Sequence, residues 1–257
     1  MSAAPFCDEG NLRGAGVMTE VKQTFDLRPT LAPVPPSPPP LSTPTAHTRQ
    51  RLLETALRLF SQGGYDKVSV RDIAESAQVN VSAVSYHFGG KSGLYRAALT
   101  EPLGSVSDDI PLFDQPHFSL RESLEGLYRS LLEPLTADPR AQQCVRLHLR
   151  EMLDPTGVWN EQVQNDFRPA HEALLRVLQR HLKLSAVDDD LLYLSLALTG
   201  LALHVHLSRD VAHAVRPGLL EGSAAVNRWE QRLVEQALAL VQAEALRRGS
   251  DREPEGA

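Results

Sequence analysis

The sequence predicts an all-α protein in two parts: an N-terminal three-helix helix-turn-helix domain, then a C-terminal helical bundle. Three observations carry that expectation. Apolar residues recur at helical spacing through most of the chain after residue 45. Ser69 to Lys91, SVRDIAESAQVNVSAVSYHFGGK, reads as two short helices joined by a tight turn. Leu191 to Leu207, LLYLSLALTGLALHVHL, is apolar nearly all round, as a helix packed between other helices requires.

Residues 1–44 are expected to be a disordered leader. Thr30 to Pro44, TLAPVPPSPPPLSTP, favours extended polyproline II over helix or packed sheet. A Pro-rich docking site for a partner is the sharper alternative, and Met18 offers a second start. Ala46 to Gly63 is the first predicted helix, with Thr45 or Thr48 as its cap. Leu52, Leu53, Ala56, Leu59 and Phe60 form its buried face, and Gly63-Gly64 ends it.

The stretch from Ser69 holds the motif. Ser69 caps a helix, with Asp72 three residues on as the reciprocal acid of a capping box. Ile73, Ala74 and Ala77 face inward. Gln78-Val79-Asn80 makes the turn, and Asn80 caps a second helix from Val81 to Phe88 that hides Val84 and Phe88. Its other face is polar and short-armed. Two helices joined by such a turn either present the second helix to a DNA major groove or form an ordinary hairpin with a solvated face. After Gly89-Gly90, Lys91 stands ahead of a fourth helix capped by Ser92, with Leu94, Tyr95 and Ala98 inward; a cation there suits a phosphate. GGKS is not a P-loop: the position that needs glycine is Ser85, and no strand precedes it.

The net charge of −6 is unevenly spread. Residues 45–104 carry seven Lys and Arg against five acids, whereas residues from 105 onward carry 16 against 23. The cationic part is therefore the segment with the two-helix motif, and its footprint is modest. Two cysteines, Cys7 and Cys144, build neither a disulfide framework nor a thiolate zinc site, which fits a reducing cytoplasm. The first 20 residues lack a secretory pattern.

Residues 105–248 are expected to hold about five helices, followed by a disordered tail over 249–257. Leu120 to Leu135 carries a leucine stripe. Asp138 caps a helix that runs to Leu153, with Val145, Leu149 and Met152 on one face. Val158 to Leu184 is helical with a kink or break at Pro169. Asp188-Asp189-Asp190 starts the apolar helix. A loop around Arg216, Pro217 and Gly218 leads to a last helix from Ser223 to Arg247. Seventeen residues that include Ser195, Thr199, Gly200, His204 and His206 are short and polar for a membrane span.

The run ALRLFSQGGYDKVSVRDIAESAQVNVSAVSYHFGGKSGLYRAAL resembles the DNA-binding domain of TetR/AcrR-family transcriptional regulators, over residues 45–104. NVSAVSYHFGGK, REMLDPTG and the Pro169 helix resemble the branch whose regulatory domain is called CerR-like. Many members carry Gly-Thr-Leu-Tyr where this chain has Ser82-Ala83-Val84-Ser85, so the bases read do not transfer. The resemblance implies roles. Ser69 and Lys91 would touch phosphates. Asn80, Val81, Ser82, Ala83, Ser85 and Tyr86 would enter the groove, with His87 at its edge. The last two long helices would pair with their copies in a homodimer through Leu194, Leu198, Leu201, Val205, Trp229, Leu233, Ala237 and Leu240. A small apolar or amphipathic effector would meet Leu147, Arg150, Trp159, Phe167, His171 and Leu203, unless these are plain core. Glu151 or an anionic ligand would answer the charge of Arg150.

The implied function is a cytoplasmic, ligand-responsive repressor on a near-palindromic double-stranded DNA operator; an activator and a helical protein adaptor are the alternatives. Neither membrane nor cofactor is implied. His204 and His206 point apart on a helix, and the partner that a His171-Glu172 zinc motif needs is Leu175, so no metal is expected. No catalytic constellation stands out, and Cys144 reads as core.

Overall fold

The computed structural model describes residues 44–250. The expected leader and tail lie outside those residues, except that Pro44 opens the first helix and Gly249 and Ser250 continue the last. All regular structure among the described residues is helical.

Helix α1 (Pro44–Lys67) buries Leu52, Leu53, Ala56, Leu57 and Phe60. It breaks at Gly64, where φ of 79° and ψ of 176° suit glycine alone. Thr45 and Thr48, expected as caps, lie inside it. Helix α2 (Val70–Ser76) opens on the predicted capping box: Asp72 N donates to Ser69 Oγ at 3.1 Å, and Ser69 N to the Asp72 carboxylate at 3.0 Å. Helix α3 (Ser82–Phe88) follows a turn in which Ser82 N donates to Asn80 Oδ1 at 2.9 Å. Helix α4 (Lys91–Thr100) starts one residue before its predicted cap, Ser92, because Gly90 occupies the cap position.

The body comprises α5 (Ile110–Phe113), α6 (Leu120–Leu132), α7 (Pro139–Leu153), α8 (Gly157–Gln162), α9 (Arg168–Leu182), α10 (Asp189–Leu207), α11 (Arg209–Val215) and α12 (Ser223–Ser250). A widened π turn, Val163–Phe167, separates α8 from α9. Pro169 sits in the first turn of α9, where its missing N–H costs nothing; this is the break expected there. Helix α11 is not among the helices the sequence predicts; it is one short helix of seven residues, none of them buried, ahead of the Arg216–Gly218 loop.

Two cores result. One lies among α6, α9, α10 and α12, around Leu124, Tyr128, Leu178, Leu198 and Val234. The other lies among α1 to α4, around Leu52, Phe60, Ile73, Leu94 and Tyr95, and is completed by Cys144 and Leu147 of α7 and Val158 of α8. Packing therefore runs across the expected boundary at residue 104.

The expected dimer contacts need correction. Leu194, Leu198, Val205, Leu233 and Ala237 are buried in the protomer's own core, and Leu201 packs against it. Trp229 also leans on that core, and its Nε1 donates to the Leu219 carbonyl at 3.2 Å. Leu240 remains on the surface. The open apolar side of α10 runs instead through Tyr193, Leu196, Ala197 and Leu207.

Candidate nucleic-acid interface and effector cavity

Helix α3 is seated through Val84, which is 1% exposed, and through the half-buried Phe88. The Arg49 guanidinium lies 4.9 Å from the centre of the Phe88 ring and is ion-paired with Glu101, which caps the C-terminal end of α4. Arg51 donates to the Ala77 carbonyl, bracing the turn where Gln78 adopts a φ of 53°. A side chain at Gly93 would place its Cβ 1.8 Å from the Phe88 carbonyl oxygen, so α3 and α4 meet only because residue 93 is glycine. These supports carry no local sequence signal; each depends on a tertiary neighbour.

What α3 leaves outside is Asn80, Val81, Ser82, Ser85 and Tyr86, with Ala83 and His87 half-buried. Tyr86 is 78% exposed and meets the His87 ring edge-on at 4.9 Å. None of the residues of α3 is acidic. Lys91 Nζ stands 4.4 Å from the centre of the Tyr65 ring and 3.5 Å from the Asp66 carbonyl, at the start of α4. Ser69 is exposed at the start of α2. Short hydroxyl and ring side chains flanked by a lysine at a helix start suit base edges beside a phosphate.

Helix α4 is tied to the body. Tyr95 packs edge-on against Phe60 and Tyr65, each ring centre 4.8 Å away, and its hydroxyl donates to the buried Glu151 of α7. Burial and that carboxylate push the Tyr95 pKa well up. Glu151 also accepts from Thr156 N and Oγ1, each at 2.9 Å.

On the other side of α7 is a cavity of about 1070 Å³, walled by α6, α7, α9, α10 and the segment after Pro102. Val145, Leu149, Met152, Phe167, Leu175 and Leu203 give it an apolar lining, joined by His148, His171 and His206. Burial lowers the pKa of all three histidines. Cys144 lies outside the cavity lining, and burial pushes its thiol up to about 12, which leaves it unreactive.

Of the expected effector contacts, Phe167, His171 and Leu203 line this cavity. Leu147 does not: it is fully buried in the core shared with α1 to α4. Arg150 faces the surface, where its Nη2 donates to the Gln62 carbonyl at 3.0 Å beside the Gly64 break. It is exposed to water there, so no anionic ligand is called for. Trp159 stands behind the lining, against His148 at 5.9 Å and Phe167 at 5.1 Å between ring centres.

Comparison with known proteins gives this geometry a family. Residues 52–98 match the family described as bacterial regulatory proteins, tetR family. Residues 120–244 match the C-terminal domain of the HTH-type transcriptional dual regulator CecR, where a CerR-like regulatory domain is expected from the sequence. The probable HTH-type transcriptional regulator YttP of Bacillus subtilis is 33% identical over 110 residues; the match takes in 42% of this chain and 53% of that protein. CecR of Shigella flexneri is 25% identical over 67% of this chain and 81% of its own. Among solved structures, the SmeT–triclosan complex shares the fold at 22% identity and a TM-score of 0.56, over 75% of this chain and 90% of that one. A transcriptional regulator from Aquifex aeolicus does so at 20% identity and a TM-score of 0.51, over 75% and 99%. With a helix-turn-helix at its N-terminal end and a CecR-type helical body behind it, the chain belongs to the TetR family of DNA-binding transcriptional regulators.

Proposed function

We propose that this regulator is a homodimeric, ligand-responsive repressor that places α3 in the DNA major groove. Asn80, Val81, Ser82, Ala83, Ser85 and Tyr86 meet base edges, His87 lies at the rim, and Ser69 and Lys91 hold phosphates. Two-fold symmetry then calls for a near-palindromic operator with half-sites about 34–36 Å apart or a multiple of that. Residues 45–104 act as the DNA-reading part and 105–248 as the regulatory part, in the cytoplasm.

The observation that carries ligand response is the double use of α7. Val145, His148, Leu149 and Met152 line the cavity at helical spacing. Cys144, Leu147 and Glu151, on its other side, pack against the DNA-reading helices. A ligand that favours one position of α7 therefore acts on α1 and α4 directly, by its differential affinity for the two states. Support for an effector also comes from the SmeT structure, which is named as a triclosan complex. Dimerisation is supported by the open apolar side of α10, where Tyr193 is 68% and Leu196 is 59% exposed. A second copy covers that side. Repression is supported by the AcnR relative of Corynebacterium diphtheriae, named a repressor, whereas the CecR relative is named a dual regulator.

The test is fluorescence anisotropy of the purified chain on DNA from upstream of its own gene, against shuffled DNA of equal length. Tight binding to the native fragment alone, weakening steeply with salt, is expected. Equal binding to both fragments contradicts a sequence-reading α3.

A further inference from the structure

The cavity beside α7 has a one-sided hydrogen-bonding wall. His148 Nδ1 lies 2.9 Å from the Cys144 carbonyl, and His206 Nε2 lies 2.8 Å from that of Leu131. A carbonyl only accepts, so each of these nitrogens carries its ring's proton. His171 Nε2 lies 2.9 Å from Ser195 Oγ, which is also 2.8 Å from the Leu192 carbonyl. His171 Nε2 and that hydroxyl are hydrogen-bonded to each other, with the direction set by the ring's tautomer. Burial disfavours the charged form of all three rings, and His148 and His206 are each left with one acceptor nitrogen.

The hydroxyls on the wall are spent in the same way. Ser105 donates to Asp166, Ser130 to the Leu127 carbonyl at 3.0 Å, and Thr199 to the Ser195 carbonyl at 3.2 Å. Asp109 adds a charge. It is half-buried on the wall, and among the described residues no hydrogen bond or ion pair reaches its carboxylate. Burial, with Glu133, Asp108 and Asp166 nearby, raises its pKa, so its anion sits unrelieved. The lining's one cationic side chain, Arg168, is exposed at the rim and tied to Glu172 at 2.9 Å and Gln164 at 3.3 Å, and the exposed Gln164 amide beside it is the donor that remains there.

We propose that the cavity takes hydrophobic amines, with the protonated nitrogen against Asp109, further N–H or O–H groups on the histidine acceptors, and an apolar body against Leu149, Met152, Phe167 and Leu203. The proposal rests on the reading of this cavity as the effector site. A carboxylate ligand of the same body would bring acceptors to a wall of acceptors and strand them there.

Isothermal titration of the full chain with three probes of one apolar body tests this: 4-butylbenzylamine, 4-butylbenzyl alcohol and 4-butylbenzoate. The amine should bind about tenfold tighter than the alcohol, and the benzoate weakest. Asp109→Asn should bring the amine to the level of the alcohol while leaving the alcohol unchanged. The proposal is overturned if the benzoate equals the amine, if amine and alcohol bind alike, or if a folded Asp109→Asn chain keeps the preference. Should that variant not fold, the ranking on the unaltered chain decides. Absence of binding by all three would sink the effector reading itself, a result distinct from a reversed ranking.

Discussion

The Tyr95 hydroxyl, on the helix that follows the DNA-reading motif, donates to the Glu151 carboxylate on the helix that walls the cavity, and both residues are buried. The bond crosses from one part of the chain to the other within the packed junction of α4 and α7. Tyr95→Phe removes one donor and leaves Thr156 alone to satisfy the carboxylate. The expected loss is about 1–3 kcal/mol of stability, read by urea unfolding. A double-mutant cycle with Glu151→Gln should show coupling of at least about 0.5 kcal/mol, as residues in one hydrogen-bonded network do. Additive losses would mean the two groups are merely neighbours.

Gly93→Ala should be severe for so small a change. The new methyl would meet a backbone carbonyl, which has no rotamer to yield. Destabilisation of roughly 1–3 kcal/mol or more is expected, together with loss of DNA binding because α3 is displaced. Thermal unfolding and anisotropy on the same sample check both parts.

Ala197→Glu places a charge in the middle of the open side of α10, next to Tyr193 and Leu196. Its own subunit does not bury that position, so the protomer should fold. Light scattering should show a dimer for the unaltered chain and mostly monomer for the variant, with self-association weakened by at least about tenfold. Unchanged mass would place the dimer contact elsewhere.

Stability should fall on acidification before the carboxylates titrate. His148, His171 and His206 have pKa values below the ordinary 6.5, mainly because they are buried. Below pH 6.5 the unfolded chain binds more protons than the folded one, so stability is fully present above that value and is lost as pH drops toward the folded values. Melting temperatures between pH 7.5 and 5 check this. His148→Gln should flatten the slope.

The helix-turn-helix was legible because its signals are local. The Ser69–Asp72 capping box and the Ile73, Ala74 and Ala77 face depend only on near neighbours along the chain. The body was legible as helices but not as faces. Helix α10 is apolar all round, so spacing could not say that Leu198 turns inward and Leu196 outward. Helix α7 is used on two sides, so Leu147 and Val145 carry equal apolar character and opposite roles. Arg150 is a charge on a bundle helix, but nothing in its neighbourhood along the chain says that it rests on the outside against the Gln62 carbonyl. His206 and His171 are oriented by the Leu131 carbonyl and by a hydroxyl 24 residues away, which no local pattern encodes; His148 alone is held by a near neighbour, the Cys144 carbonyl one turn back.

The central claim is that α3 reads DNA as one of a symmetric pair. Its most direct test is sequencing of random DNA fragments selected by the purified chain, run beside a Tyr86→Ala variant, which changes a side chain that is 78% exposed. Two inverted half-sites a helical turn or a whole number of turns apart, enriched by the parent and lost or blurred by the variant, are the expected result. Selection of no motif, or of the same motif with equal strength by both proteins, would contradict the account.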